Sequence, residues 1–359
     1  MKIAMVDPGA FTLPYDDALC SALVQEGHDI ALYTTRFAHG TMPDPQGYKL
    51  IEWFYQTRLP GIPRRIQRGV QHPFDMGRLR SHFSKEPPDL VHVQWNVVDR
   101  FDSIFWKRLQ LPVVYTAHNS ISRTKPVNCA LLRAFDAVVV HSEYGRQGLR
   151  ELCRLENVWQ VPHGAFGALA DEADPVTLPL DLHDGPVVLL AGVLRPYKRI
   201  DLLLEAWPQV LDSVPDAQLV VAGRPLGVDL PEIEPPGVKL VPRFLTDAEF
   251  SWLIRRSDLV CLPYESIDNS GVVYAALACE RPLLLSDVGG FSELRGRGAE
   301  LVSSLGSNSL GKAIVRILRD SERREELRQE ARAAANGIYS WKSIAKTYTQ
   351  LYAELLNAT

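Results

Sequence analysis

No stretch of this sequence is apolar for long enough to cross a bilayer. The longest clean hydrophobic run, Val187–Leu194, falls well short of the roughly 18 residues a spanning helix needs. Cysteine is scarce: Cys20, Cys129, Cys153, Cys261 and Cys279 are odd in number, scattered and without a CxxC pair. That excludes a disulfide scaffold or zinc ribbon and predicts buried thiols in a reducing compartment. No two histidines show HExxH or comparable spacing, so no bound metal is expected. A GxxxxGK(S/T) phosphate loop and a Gly-x-Ser-x-Gly elbow are both missing, and no cysteine has an evident histidine partner. Nucleotide hydrolysis on such a loop and acyl transfer therefore have no support. An excess of one charge is lacking too. With 39 Lys plus Arg against 43 Asp plus Glu, a net of -4, the chain is not expected to bind nucleic acid. Its start, MKIAMVDPG, reads as a strand and a turn rather than a signal peptide, so the expected location is cytoplasmic.

What is present is an ordinary globular composition, 46% hydrophobic and 23% charged over 359 residues, enough for two domains with their own cores. Charge divides unevenly between them. Residues 1–165 carry 19 basic and 16 acidic side chains, leaving 20 basic and 27 acidic for the remainder. Most of the basic excess lies in Arg58, Arg64, Arg65, Arg68, Arg78, Arg80 and Lys85, with Asp75 the only acid among them. Two readings stand: a solvated helical face, or a surface that meets anionic headgroups or a phosphorylated acceptor.

Short apolar runs alternate with longer amphipathic stretches. In the first half, strands are expected at Lys2–Val6, Asp29–Thr34, Leu90–Gln94, Val113–Ala117 and Ala137–His141, with a helix at Asp16–Glu26. The rhythm restarts after Gly185. Strands are expected there at Val187–Ala191, Gln218–Ala222, Lys239–Val241, Leu259–Pro263 and Leu283–Ser286. Helices are expected at Arg199–Leu211, Asp247–Arg256 and Val272–Ala278. Two runs of parallel α/β units imply two doubly wound, Rossmann-like domains, residues 1–165 and 166–340, with the crossing in the proline-bearing stretch 166–185. The amphipathic segment Trp341–Leu356 is expected to return and pack on the first domain.

The first strand-to-helix turn, Asp7–Tyr15, offers only Gly9 where a dinucleotide fingerprint needs GxGxxG, which disfavours an NAD enzyme. In the second half, Arg195 and Lys198 leave a strand end and open a helix, a placement suited to clamping a diphosphate. Asn269, Ser270, Gly271 and Val272 again run from a strand into a helix, offering a hydroxyl and open backbone N–H groups. Among the histidines, His118 follows the run Val113–Tyr115 at a strand's carboxyl end. His92, inside a strand, reads as a satisfied core histidine, and His163 as a turn former.

The stretches AGVLRPYKRIDLLLEA (191–206) and LPYESIDNSGVVYAALACERPLLLSDVGGFSE (262–293) resemble the retaining glycosyltransferases of family 4. So do PDLVHVQ (88–94), VVYTAHN (113–119), VVHSEYGRQGL (139–149), VPHGAF (161–166) and 243–264, so that the likeness covers essentially the whole chain. The resemblance implies the GT-B fold, two Rossmann-like domains facing a cleft, with the acceptor on the N-terminal domain. It implies a nucleoside diphosphate sugar as donor and no bound metal or cofactor. On the matching positions, Arg195 and Lys198 hold the donor diphosphate, and Ser270, Gly271 and Val272 bond it through the backbone. Arg243 and Phe244 meet the nucleobase, and His118 faces the transferring sugar as a catalytic group.

The sequence departs from the family at three points. The paired glutamates would fall at Ile267 and Ala275, and Arg199 stands where glycine commonly follows the lysine. It looks like the subset with an SGV donor loop, with Glu265 or Asp268 as candidates to replace the glutamates. The expected function is transfer of a sugar to an acceptor hydroxyl in surface glycan or glycolipid synthesis. The alternatives are a nucleotide-sugar epimerase of the same fold and a non-catalytic subunit. Trp53, Phe54 and Tyr55 beside the Arg58–Lys85 run predict salt-sensitive peripheral contact with the inner face of an anionic membrane and a glycan or lipid-linked acceptor.

Overall fold

The computed structural model describes residues 1–37, 42, 44–58, 60–121, 126–175 and 180–358. The chain divides into two compact units, Met1–Pro162 with Trp341–Thr359, and His163–Ser340. Ala165 N donates to Tyr339 O at 2.8 Å, so the turn after His163 already belongs to the second unit. Pro179, in the expected crossing, lies outside the described residues.

Among the described residues the first unit holds seven strands: β1 (Lys2–Asp7), β2 (Asp29–Thr34), β3 (Lys49–Glu52), β4 (Leu90–Val93), β5 (Val113–Thr116), β6 (Ala137–Val140) and β7 (Val158–Gln160). They pair in the order β3-β2-β1-β4-β5-β6-β7, every neighbouring pair parallel. The second holds β8 (Val187–Ala191), β9 (Gln218–Ala222), β10 (Val238–Val241), β11 (Leu259–Leu262), β12 (Leu283–Ser286) and β13 (Ala299–Val302), in the order β10-β9-β8-β11-β12-β13. Both are doubly wound sheets, because each chain path starts in the middle, runs to one edge, and crosses back to fill the other.

The local reason is composition. Parallel strands covered on both faces need apolar residues at every position, and VVLLA at 187–191 and AVVV at 137–140 supply them, all buried. Helices cover both faces of the second sheet, one side built on Trp207, Leu203, Ile314 and Ile317, the other on Val273, Ala276, Phe291 and Ile254. The helix Trp341–Ala358 packs in the first unit. It buries Ile344, Tyr348, Leu351 and Tyr352, each worth on the order of 1.5–3 kcal/mol. Tyr348 Oη lies 3.2 Å from Tyr15 Oη, and Tyr352 Oη lies 2.6 Å from His92 Nδ1.

The thiol expectation needs correction. Cys129 and Cys153 form a disulfide, their Cα atoms 5.2 Å apart, while Cys20, Cys261 and Cys279 are buried thiols. A short helix, Cys129–Leu132, sets the first of the two beside the C-terminal end of the helix Glu143–Cys153. Tertiary approach across 24 residues made the pair, which spacing could not reveal. With that disulfide formed, the cysteines no longer indicate a reducing compartment. Among the described residues no helix is long and apolar enough to cross a membrane.

Candidate functional site

In an open doubly wound sheet, ligands meet the carboxyl ends of the strands where the winding reverses. Here those points lie between β1 and β4 in the first unit, and between β8 and β11 in the second. The expected site residues other than Arg243 and Phe244 cluster at both.

At the first point, β1 ends in Asp7, whose Oδ1 accepts from Gly9 N at 2.9 Å and Ala10 N at 3.0 Å. Asp16 is buried beside it. Burial pushes both carboxyls up, and the neighbouring Asp7 charge raises Asp16 further. This fixes a turn in which Ala10 adopts a left-handed φ of 51°. The ring of Phe11 then stands 5.4 Å from Trp95, just beyond β4, and Trp95 stacks on His118 at 5.0 Å, just beyond β5. His118 Nε2 donates to Gln94 Oε1 at 3.0 Å, and its Nδ1 lies 3.2 Å from His141 Nε2. Tyr15 meets the ring edge-on at 4.9 Å. Gly9 and His118 are thus brought together, lined by an aromatic wall.

His92 is the core histidine its strand position predicts. Its ring nitrogens meet Tyr352 Oη and Thr116 Oγ1, at 2.6 and 2.7 Å, and burial brings it down to about 3. His163 stacks on Tyr274 at 4.5 Å, inside the second unit.

At the second point, β8 runs into Gly192, which has a left-handed φ of 96°. A Cβ there would stand 3.1 Å from Lys198 Nζ and 3.3 Å from Val272 Cγ2. The missing side chain lets Lys198 and the Val272 helix close on the strand end. Lys198 is almost wholly buried; its Nζ donates to Ala191 O at 3.1 Å and lies 5.0 Å from the Tyr264 ring centroid. Burial, reinforced by the Arg195 cation, brings its ammonium down to about 7. Arg195 itself is exposed. Arg199, the departure from glycine, has a left-handed φ of 52°, a conformation glycine adopts at no steric cost. Its guanidinium compensates by gripping Asp201 at 2.8–3.1 Å.

Across β11, Ser270 caps the helix Gly271–Ala278 by position but makes no side-chain cap hydrogen bond. Its N donates instead to Asn269 Oδ1 at 3.0 Å. The first-turn N–H groups of Gly271 and Val272 have no acceptor within the helix, which leaves them for an anion. Ala275 is fully buried and Ile267 packs on the core, so neither glutamate position is acidic or vacant. Glu265 is exposed and Asp268 buried on the same loop.

Arg243 and Phe244 sit apart from this group, after the edge strand β10 and two strands from the reversal. Arg243 grips Glu249 at 2.7 and 2.8 Å and holds that carboxyl down to about 2. Glu249 and Thr246 form the capping box of the helix Asp247–Arg256. The Arg243 side chain therefore braces a helix start, while Phe244 stays exposed.

Sequence reasoning missed Trp95, Gln94 and His141. Gln94 and Trp95 follow a strand directly, and His141 ends the run Ala137–Val140. Position at a strand's carboxyl end was the available clue for all three.

The family models match this division of the chain. One described as Glycosyltransferase Family 4 matches residues 17–165, and one described as Glycosyl transferases group 1 matches residues 185–320. A phosphatidyl-myo-inositol mannosyltransferase of Mycolicibacterium smegmatis is 23% identical over 98% of this chain and 93% of its own. A D-inositol 3-phosphate glycosyltransferase of Jonesia denitrificans is 22% identical over 93% and 88%. Among solved structures, Anabaena HepE in complex with UDP superposes with a TM-score of 0.70 at 15% identity, covering 99% of this chain and all of that one. Fold and motifs define a glycosyltransferase built on two Rossmann-like domains, the GT-B class. The chain belongs to glycosyltransferase family 4.

Proposed function

We propose that the protein is a retaining enzyme that moves a sugar from a nucleoside diphosphate sugar to a hydroxyl of a phosphate-bearing glycan or lipid-linked acceptor. One observation carries the donor half: Lys198 and the first turn of the Gly271–Ala278 helix converge on the gap left by Gly192. Lys198, Arg195 and the N–H groups of Gly271 and Val272 hold the diphosphate. Ser270 and Asn269 shape the loop, and the Arg243–Phe244 backbone lies along the base. As the glycosidic bond breaks, negative charge grows on the departing diphosphate, and fixed cations and helix N–H groups stabilise it there most. The acceptor oxygen attacks the same face of the sugar. Gly9 and His118 contact the sugar being transferred. No metal or cofactor takes part in this scheme.

Support for the acceptor class comes from relatives whose names carry an inositol phosphate or its lipid. A membrane contact is supported by the helix Arg64–Lys85, which exposes Ile66, Val70 and Phe74 at four-residue spacing among its arginines. Such a face sinks into a headgroup layer while each cation adds about 1 kcal/mol near anionic lipid. In this reading the enzyme works in the cytoplasm, at the inner membrane face.

Incubation with labelled nucleotide sugars, with and without acceptor, tests the reaction type. Acceptor-dependent transfer with retained anomeric configuration by NMR supports it. Change of sugar identity without acceptor would make the protein an epimerase, and failure to bind any nucleoside diphosphate a non-catalytic subunit.

A further inference from the structure

A pocket of about 490 Å³ opens in the first unit where β2 and β3 end and the helix Arg64–Lys85 begins. Its lining includes Arg36, Arg58, Arg64 and Arg68, against one carboxylate, Glu52. Among the described residues, none of these arginines has an ion-pair partner. Four guanidinium groups held around one concavity repel each other until an anion joins them. Their planar forks suit phosphate oxygens better than any other common group.

One wall of the pocket is held by a dense set of contacts. Tyr55 in its wall has a left-handed φ of 55°, an outlier for an aromatic residue. Three contacts hold it there: its N donates to Asp75 Oδ2 at 2.9 Å, its hydroxyl meets His72 Nδ1 at 2.8 Å, and Arg68 lies 5.3 Å over its ring. Behind it, His72 Nε2 meets Asp102 Oδ1 at 2.7 Å, and Asp102 Oδ2 accepts from Val97 N and Val98 N, both at 2.8 Å. His72 and Asp102 are fully buried. Backbone strain maintained by so many contacts concentrates at binding sites, and here it sets an aromatic platform under Arg68.

We propose that this pocket binds a phosphomonoester group, carried by the acceptor. Charge decides between phosphate classes. A phosphodiester brings one negative charge, whereas a monoester brings about 1.5 to 2 at neutral pH, closer to what four arginines and one glutamate require. The volume admits the phosphate with a sugar-sized body attached. Calling the ligand an acceptor rests on the glycosyltransferase reading; the anion site itself does not.

The test uses the whole chain, with methyl phosphate as monoester and dimethyl phosphate as diester, followed by calorimetry. Methyl phosphate should bind at least about tenfold more tightly than dimethyl phosphate. Arg64→Ala/Arg68→Ala should weaken it by about a hundredfold, two charge-assisted contacts being lost. Lys198→Ala should leave it within about twofold, which separates this site from the donor site. The double variant should melt as the wild type does in both units, showing that it is folded. Vesicles of phosphatidylcholine with phosphatidic acid, against vesicles with phosphatidylglycerol, assign the source. Displacement of methyl phosphate by the former alone points to a lipid phosphomonoester, and no displacement to a soluble one. The proposal is overturned if methyl phosphate does not bind, if dimethyl phosphate binds as tightly, if the double variant keeps its affinity, or if Lys198→Ala abolishes binding. Sugar transfer enters none of these readouts, so failure of the enzymatic reading would leave them unchanged.

Discussion

His118 Nδ1 and His141 Nε2 lie 3.2 Å apart across the ends of the neighbouring strands β5 and β6. Their outer nitrogens each face a carbonyl oxygen, Gln94 Oε1 at 3.0 Å and Val161 O at 3.0 Å, so both donate. His141 is thus a positioning residue for His118. Replacing it as His141→Phe should lower kcat by about twofold to tenfold, the range for one lost hydrogen bond. Donor affinity should stay unchanged and His141→Asn should recover part of the loss. Steady-state kinetics beside nucleotide titration separates the two effects.

Lys198 predicts a proton linkage. Its ammonium titrates at about 7 in the unliganded protein, against 10.5 for an ordinary lysine. Between those values the unfolded chain holds a proton that the folded one lacks, so this group adds stability as pH rises through the window. A bound diphosphate restores the charge. Nucleoside diphosphate binding at pH 8 to 9 should therefore take up close to one proton, and almost none at pH 6. Calorimetry in buffers of different ionisation enthalpy reads this directly.

His92 predicts acid lability in the first unit. It titrates at about 3 when folded, from an ordinary 6.5, because charge is disfavoured where it is buried. As pH falls through that window the unfolded state gains a proton the folded state refuses. Stability should drop by about 1.4 kcal/mol per pH unit from this group alone. Melting temperature against pH should fall less steeply in His92→Asn than in the wild type.

Much of the fold was legible because parallel strands buried on both faces declare themselves. Asp29–Thr34, Val187–Ala191, Gln218–Ala222 and Leu283–Ser286 carry unbroken apolar runs and have the expected boundaries. Lys49–Glu52, Val158–Gln160 and Ala299–Val302 escaped notice because sheet-edge strands are short and half-wet. The helix expected from Asp16 starts at Leu13, since Pro14 is tolerated in a first turn. At the site, Lys198 and Ser270–Val272 were legible from strand-to-helix spacing. The His118–His141 contact, the Asp7–Asp16 pairing and the Cys129–Cys153 bond join residues brought together only by folding.

The disulfide gives a redox prediction. It closes a loop across 24 residues, so reduction should cost the first unit about 3 kcal/mol by chain entropy. Denaturation with and without reductant, and of Cys129→Ala, should show the first unit's transition moving and the second's staying in place.

The central claim is that a buried lysine and a helix start hold the leaving diphosphate of a sugar donor. Lys198→Ala tests it most directly, with sugar transfer measured against nucleotide-sugar concentration in a variant checked by thermal melting. Losing one preorganised donor to a developing anion should cost about a hundredfold to a thousandfold in kcat, with the fold intact. Wild-type turnover in Lys198→Ala would contradict the account.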